Sequence, residues 1–295
     1  SLLAMCTGSE VARWALAHQL SGPSDDLAGL SVRALPPVGA EAAPPLFAAY
    51  ERAARVNWRD SWDEVATGVW VRGGHPLDQH DHQDRGHVNF ILRGQPILIE
   101  AGTPSYDHKL MMTHYSSGVG HNVLQLGTVE PEVGAAAGQN VSHPGWQKVS
   151  AFAPITVKRL DAKGGTVAVD GTACYDGLKR WDRRVVWNSK ALQVSDEVAL
   201  AEGKEEIVLF RWHLGTEEAV VVEQVGSGWE VRWPAAKMAI FADTPVSVTQ
   251  VRLPDNTLAG HTGGEAPGNY HTCVVVQSAG PVTALKVTMD VSKEG

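Results

Sequence analysis

The feature that most restricts the fold is a succession of short alternating runs, closely spaced along the chain. From Trp58 onward, strand-like segments recur at 65–72, 155–160, 166–169, 183–187, 192–200 and 207–214. They continue at 219–225, 229–233, 238–241, 246–253, 272–277 and 283–289, with Gly, Pro, Asp and Asn between them. Alternation with period two is strand patterning, and strands this close together leave no room for long crossover helices. The expected fold is therefore mainly β: a large antiparallel β-sandwich of stacked sheets. Thirty glycines, sixteen prolines and ten tryptophans in 295 residues fit that reading. The 43% hydrophobic content supplies a sizeable core.

Within this pattern one stretch carries unusual chemistry. His80-Asp81-His82-Gln83-Asp84-Arg85-Gly86-His87 runs directly into Val88-Asn89-Phe90-Ile91-Leu92, which alternates as a strand. Arg93-Gly94-Gln95-Pro96 reads as a tight turn, Ile97-Leu98-Ile99 as the returning strand, and Glu100 closes it. The hairpin brings Glu100 back toward His82, and a further imidazole, His121, opens the strand-like run 121–127. Two imidazoles and a carboxylate suit a borderline divalent metal, most readily zinc, so His82, Glu100 and His121 are the expected ligands. Asp84 and His87 are placed as their supporting partners.

The ends of the chain are less specific. Residues 1–20 show helical spacing through Val11, Trp14, Ala15 and His18, with Ser9 as a candidate cap, and 25–46 reads as an extended, proline-containing linker. The expected division is 1–46, a helical tail and linker, and 47–295, the β-sandwich. A net charge of −8 gives no support for nucleic-acid binding. No run of about eighteen apolar residues proposes a membrane span, and no signal peptide is visible. Cys6, Cys174 and Cys273 lie too far apart for a CxxC motif, and an odd count leaves at least one thiol unpaired within the chain. The one basic cluster, 179–184, reads equally well as a solvated strand edge.

The segment 62–127 resembles the C-terminal region of the heparinase II/III-like polysaccharide lyases. The elements that carry the resemblance are Trp70-Val71-Arg72-Gly73-Gly74, His80-Asp81-His82-Gln83-Asp84, Glu100-Ala101-Gly102-Thr103 and His121-Asn122. Arg183-Arg184-Val185-Val186-Trp187 and Trp212-His213-Leu214 match more loosely, and Glu100 stands where the family usually has Asp. The resemblance implies a lyase that cleaves a uronic-acid polysaccharide, such as a glycosaminoglycan or alginate, by β-elimination. It also implies a periplasmic or secreted setting, and an (α/α) toroid of which residues 1–46 would be the end, in the same protein or a companion chain. The chain alone is then expected to be inactive.

In such a reaction His80 is the first candidate acid/base, since in a strand it would share a face with His82. Tyr106 and Tyr115, the latter in an expected loop 107–120 held between two ligands, are the other catalytic candidates. Trp146, in a loop-like stretch, and Arg85, beside the histidines, are the candidate substrate contacts. Two rival readings are a cupin-like metal oxygenase or isomerase and a non-catalytic carbohydrate-binding sandwich with a structural metal. The late position of Glu100 argues against the cupin spacing, and no carboxylate pair calls for hydrolysis.

Overall fold

The computed structural model describes residues 9–18, 31–32, 34–36, 38–78, 80–128, 145–255 and 270–293. The chain divides into two compact units, Ser1–Leu46 and Phe47–Gly295.

In the first unit, helix α1 (Glu10–His18) buries Trp14 and Leu16. Ser9 caps it, its Oγ accepting the Ala12 N–H at 3.2 Å, which satisfies one of the orphan donors of the first turn. Of the sequence-predicted helix 1–20, residues 1–8 and 19–20 lie outside the described residues, as does much of the predicted linker. A single 3-10 turn, Ala40–Ala42, follows.

The second unit is built of three antiparallel sheets. The five-stranded sheet runs in sequence order: β1 (Phe47–Tyr50), β2 (Arg55–Arg59), β3 (Gly68–Arg72), β4 (Val88–Leu92) and β5 (Gln95–Leu98). The four-stranded sheet uses β6 (Leu124–Leu126), β11 (Val208–His213), β15 (Val246–Pro254) and β16 (Tyr270–Ser278), in the order β15-β16-β11-β6. The eight-stranded sheet takes β7 (Ile155–Asp161), β8 (Gly164–Asp170), β9 (Leu178–Trp187), β10 (Ala191–Leu200), β12 (Val221–Val225), β13 (Gly228–Trp233), β14 (Ala236–Ala242) and β17 (Ala284–Ser292). Its order is β12-β13-β14-β17-β10-β9-β8-β7.

Strand β10 shows why these residues make this sheet: Leu192, Val194, Asp196, Val198 and Leu200 all face inward, and the residues between them do not. One continuous core joins all three sheets, with Trp58, Trp181, Trp187 and Trp212 among its largest buried side chains. Cross-links hold the sheets together. The Trp58 indole donates to the Asp161 carbonyl at 2.8 Å, and Leu98 bridges to Leu214. The mainly-β sandwich expected from sequence is the fold observed.

Two local expectations are corrected. Residues 80–87 are a loop rather than a strand extension, and His80 sits at φ +51°, so strand alternation does not relate it to His82. The segment before His121 contains a π-helical turn, Met111–Tyr115, and a 3-10 turn, Gly118–Gly120, where an irregular loop was expected.

Candidate metal centre

The loop 80–87 is held by an ionic knot. Arg72 on β3 pairs with Asp84 at 2.5 Å, Asp81 at 3.4 Å and Asp78 at 3.6 Å, and Arg55 reaches Asp78 at 3.3 Å. Arg85 is fully buried (0% exposed); it pairs with Asp81 and donates to the His82 carbonyl at 2.5 Å and the Ala151 carbonyl at 3.2 Å. Gln147 brackets Arg85, accepting its N–H at 2.8 Å and donating to its carbonyl at 2.7 Å. Gly86, at φ +86°, lets the loop turn against the core: a Cβ there would meet the Trp181 ring at 2.8 Å. Arg85 is thus a positioning residue, and the expected substrate contact is corrected, because its guanidinium has no exposed surface to offer.

This scaffold gathers the imidazoles and carboxylates. Among the described residues His82, Asp84 and His121 each offer a ligand atom, all within 4.8 Å of one another. The His82 and His121 rings lie 5.4 Å apart, and His121 Nε2 stands 3.6 Å from Glu100 Oε2. The structure therefore gathers two of the three expected ligands, His82 and His121, with Asp84, and places the third, Glu100, beside His121. The tautomers follow from the hydrogen bonds. His121 Nδ1 donates to the Ser117 carbonyl at 2.8 Å, which leaves the Nε2 lone pair aimed at the carboxylate. Two electron-rich atoms facing each other are the arrangement a cation would bridge. His87 is different: its Nδ1 accepts the Asn122 N–H at 2.9 Å and its Nε2 meets Asn89 Oδ1 at 2.9 Å, so both nitrogens are engaged. His87 is a support and not a donor.

Electrostatics agree with this assignment. Burial, then the neighbouring His121, lowers the pKa of His82; burial also lowers that of His121, against an opposing pull from Asp84. Both rings are held neutral, the form that ligates a metal. Burial, then the Asp84 charge, raises the pKa of Glu100. The donor set, two neutral imidazoles with carboxylates, fits zinc.

Of the remaining sequence-predicted site residues, His80 and Tyr106 come together. The Tyr106 hydroxyl contacts His80 Nδ1, the two rings are 5.7 Å apart, and both side chains are exposed, Tyr106 by 59%. Tyr115 is buried (4% exposed) against His108 and His114, so it is corrected to a packing residue. Trp146 is also buried, at 4%, and presents no open face for a sugar; the adjoining 142–144 lie outside the described residues. In the basic cluster, Arg180 pairs with Asp182 and Glu197 at the surface, while Arg183 turns inward.

Sequence reasoning missed a buried histidine group. His213 on β11 and His271 on β16 meet at 2.6 Å (Nδ1 to Nε2), and His114 Nε2 reaches the Pro254 carbonyl at 2.8 Å. Only the pairing of β11 with β16 brings them together, and neighbouring residues in sequence carry no trace of it. Burial pushes His114 down to about 4 and His271 down to about 3, from an ordinary value near 6.5. These groups titrate lower in the folded than in the unfolded chain, so the unfolded state binds more protons and stability falls as pH drops below about 6.5. His114 alone is expected to withdraw on the order of 3 kcal/mol by pH 4, from its shift to about 4. Urea denaturation between pH 7 and 4 checks this; a pH-independent midpoint would contradict burial of the neutral rings.

Comparison with known proteins bears on the fold and the family. The heparinase II/III-like C-terminal domain model matches residues 62–279. Heparinase III, the BT4657 gene product, superposes with a TM-score of 0.63 at 13% identity, covering 85% of this chain and 37% of that one. The heparan sulfate lyase HepC from Pedobacter heparinus gives 0.62 at 14% identity over 97% of this chain and 41% of its own. The chain thus spans about two-fifths of the length of these structures. The comparison with curated proteins gave no match. With some three-quarters of its length matched by that one domain and the same β architecture in the solved structures, the chain belongs to the heparinase II/III-like family.

Proposed function

We propose that this chain forms the metal-bearing β wall of a lyase that cleaves a uronic-acid polysaccharide, a glycosaminoglycan or alginate, by β-elimination. The observation that carries the reading is the pairing of exposed His80 with Tyr106 on the loop that also supplies His82 and Asp84. β-Elimination requires removal of the C5 proton, protonation of the departing O4 and neutralisation of the uronate carboxylate. A phenol hydrogen-bonded to an imidazole can pass a proton in either direction, which suits the first two tasks. His80 accepts the Tyr106 proton, leaving the tyrosine oxygen to take the C5 proton, and the pair returns a proton to O4. His82 and His121, with Glu100 or Asp84, would hold a zinc ion, whose fixed positive charge would pin this loop. The ionic knot of Arg72 and Arg85 supports the loop from beneath.

The solved relatives are more than twice as long as this chain. We place in that extra length a helical toroid that completes the cleft, in the same protein or a companion chain, and expect the 295 residues alone to be inactive. A periplasmic or secreted setting follows from a polymeric substrate; among the described residues no helix is long and apolar enough to cross a membrane. The family match favours the lyase reading over the cupin-like alternative.

The test is the ultraviolet absorbance of the unsaturated uronate product when the chain, alone or joined to its toroid, meets glycosaminoglycan and alginate. Absorbance only with the toroid supports the reading; sugar binding without product in either form overturns it. In the active form Tyr106→Phe and His80→Ala are expected to lower kcat by roughly 10²–10⁴-fold, the usual weight of an acid/base group. Both side chains are exposed, so the melting temperature is expected to hold. Unchanged kcat in both variants would remove the pair from the mechanism.

A further inference from the structure

At the far end of β4 from the histidine loop, two turns from different sheets flank an open, solvent-facing cavity of about 380 Å³ lined by Asp60, Val65, Thr67, Arg93, Ser189 and Lys190. That volume lies in the range of small-ligand sites. Buried Thr67 joins the turns: its Oγ donates to the Ser189 carbonyl at 3.2 Å and accepts the Arg93 N–H at 3.3 Å. Arg93 and Gly94 form the two-residue β4–β5 turn with φ +51° and +77°, a geometry that favours Asn-Gly. Arginine occupies a left-handed position there despite the backbone cost, which directs attention to its side chain. Among the described residues, neither the Arg93 guanidinium nor the Lys190 ammonium has a hydrogen-bond or ion-pair partner, and both residues are exposed.

We propose that this cavity is a second, non-catalytic subsite that binds one acidic sugar unit, with Arg93 and Lys190 taking its sulfate or carboxylate. The lining sets two cations, Arg93 and Lys190, against the single carboxylate of Asp60. Asp60 already accepts the Thr67 N–H at 2.8 Å through one oxygen, and the other would accept a hydroxyl of the proposed sugar. Val65, largely exposed, provides an apolar wall for the C–H face of the ring. The five residues of β4 separate the cavity from the histidine loop by roughly 17 Å, so a polymer can reach both while a short oligosaccharide occupies one. The inference rests on the acidic-polysaccharide reading given above.

The experiment is an NMR titration of the 295-residue chain with short oligosaccharides of heparan sulfate and of alginate, followed at the amides of Arg93, Gly94, Ser189 and Lys190. Saturable shifts at these amides are expected. Arg93→Asn combined with Lys190→Gln keeps the turn geometry and is expected to raise the midpoint at least about tenfold, as loss of charge-assisted hydrogen bonds would. Response to heparan sulfate alone identifies a sulfate, response to both sugars the carboxylate they share, and either supports the subsite. No shift with either sugar, or the same midpoint in the double variant, overturns it. Failure of the lyase assay would leave these local shifts in place, so the two readings fail separately.

Discussion

Replacing Arg183 by alanine is expected to cost about 3–5 kcal/mol of folding stability, the usual penalty for stranding one member of a buried ion pair. Arg183 on β9 is fully buried and bidentate to Asp196 on the neighbouring β10, with its Nε 2.8 Å from Oδ1 and its Nη2 3.0 Å from Oδ2. The Trp181 indole donates to the same Oδ1 at 2.8 Å. The remaining donor, Nη1, reaches the Gly86 carbonyl at 2.8 Å and the Asn122 carbonyl at 2.5 Å. One side chain therefore ties the eight-stranded sheet to the residue before His87 and to the residue after His121. Rings of Trp181, Phe210 and Trp212 surround the guanidinium at 5.0–5.7 Å and exclude water. Lysine is not expected to rescue the variant, because a point charge cannot satisfy four acceptors in a plane. Surface Arg180 on the same strand, whose ion pairs with Asp182 and Glu197 lie at the surface, is the control, with little change expected. Urea unfolding of both variants checks the contrast; an Arg183→Ala protein as stable as the parent would contradict it.

The second large effect concerns the metal. His121→Ala is expected to weaken zinc affinity by more than about 100-fold, beyond the 10–100-fold typical of residues that merely orient a ligand. His121 is buried, its Nδ1 is fixed by Ser117, and its Nε2 lone pair faces the carboxylates. His87→Gln is the matching control: both His87 nitrogens are spent on Asn122 and Asn89, so metal stoichiometry is expected to survive. Asp84→Asn and Glu100→Gln, titrated side by side, identify the carboxylate that ligates. Loss in the Asp84 variant would mean that the ion competes with Arg72 for that side chain. Equal zinc affinity in His121→Ala and the parent would remove His121 from the ligand set.

Much of the β architecture was legible because inward and outward residues alternate. Strands β9, β10, β14 and β17 announce themselves this way, as in Leu192, Val194, Val198 and Leu200. Strand β1 did not: Phe47-Ala48-Ala49-Tyr50 offers two alanines and little contrast between faces. The metal candidates were legible as a local sequence, yet the loop that carries them was read as strand. Its shape depends on Arg72, Arg85 and Gln147, which act through tertiary contacts. The same limit applies to Trp146 and Tyr115. Each sits in an irregular segment, where the sequence has no period to show which way a ring turns. The Arg183–Asp196 pair depends on the register between β9 and β10, which a single strand does not encode.

The most direct test of the account is the metal content of the purified chain by elemental analysis after equilibration with zinc. Near-stoichiometric zinc, lost in His82→Ala and in His121→Ala, is the expected result. A wild-type chain that retains no metal would contradict it, leaving the histidines and carboxylates as polar lining of the loop.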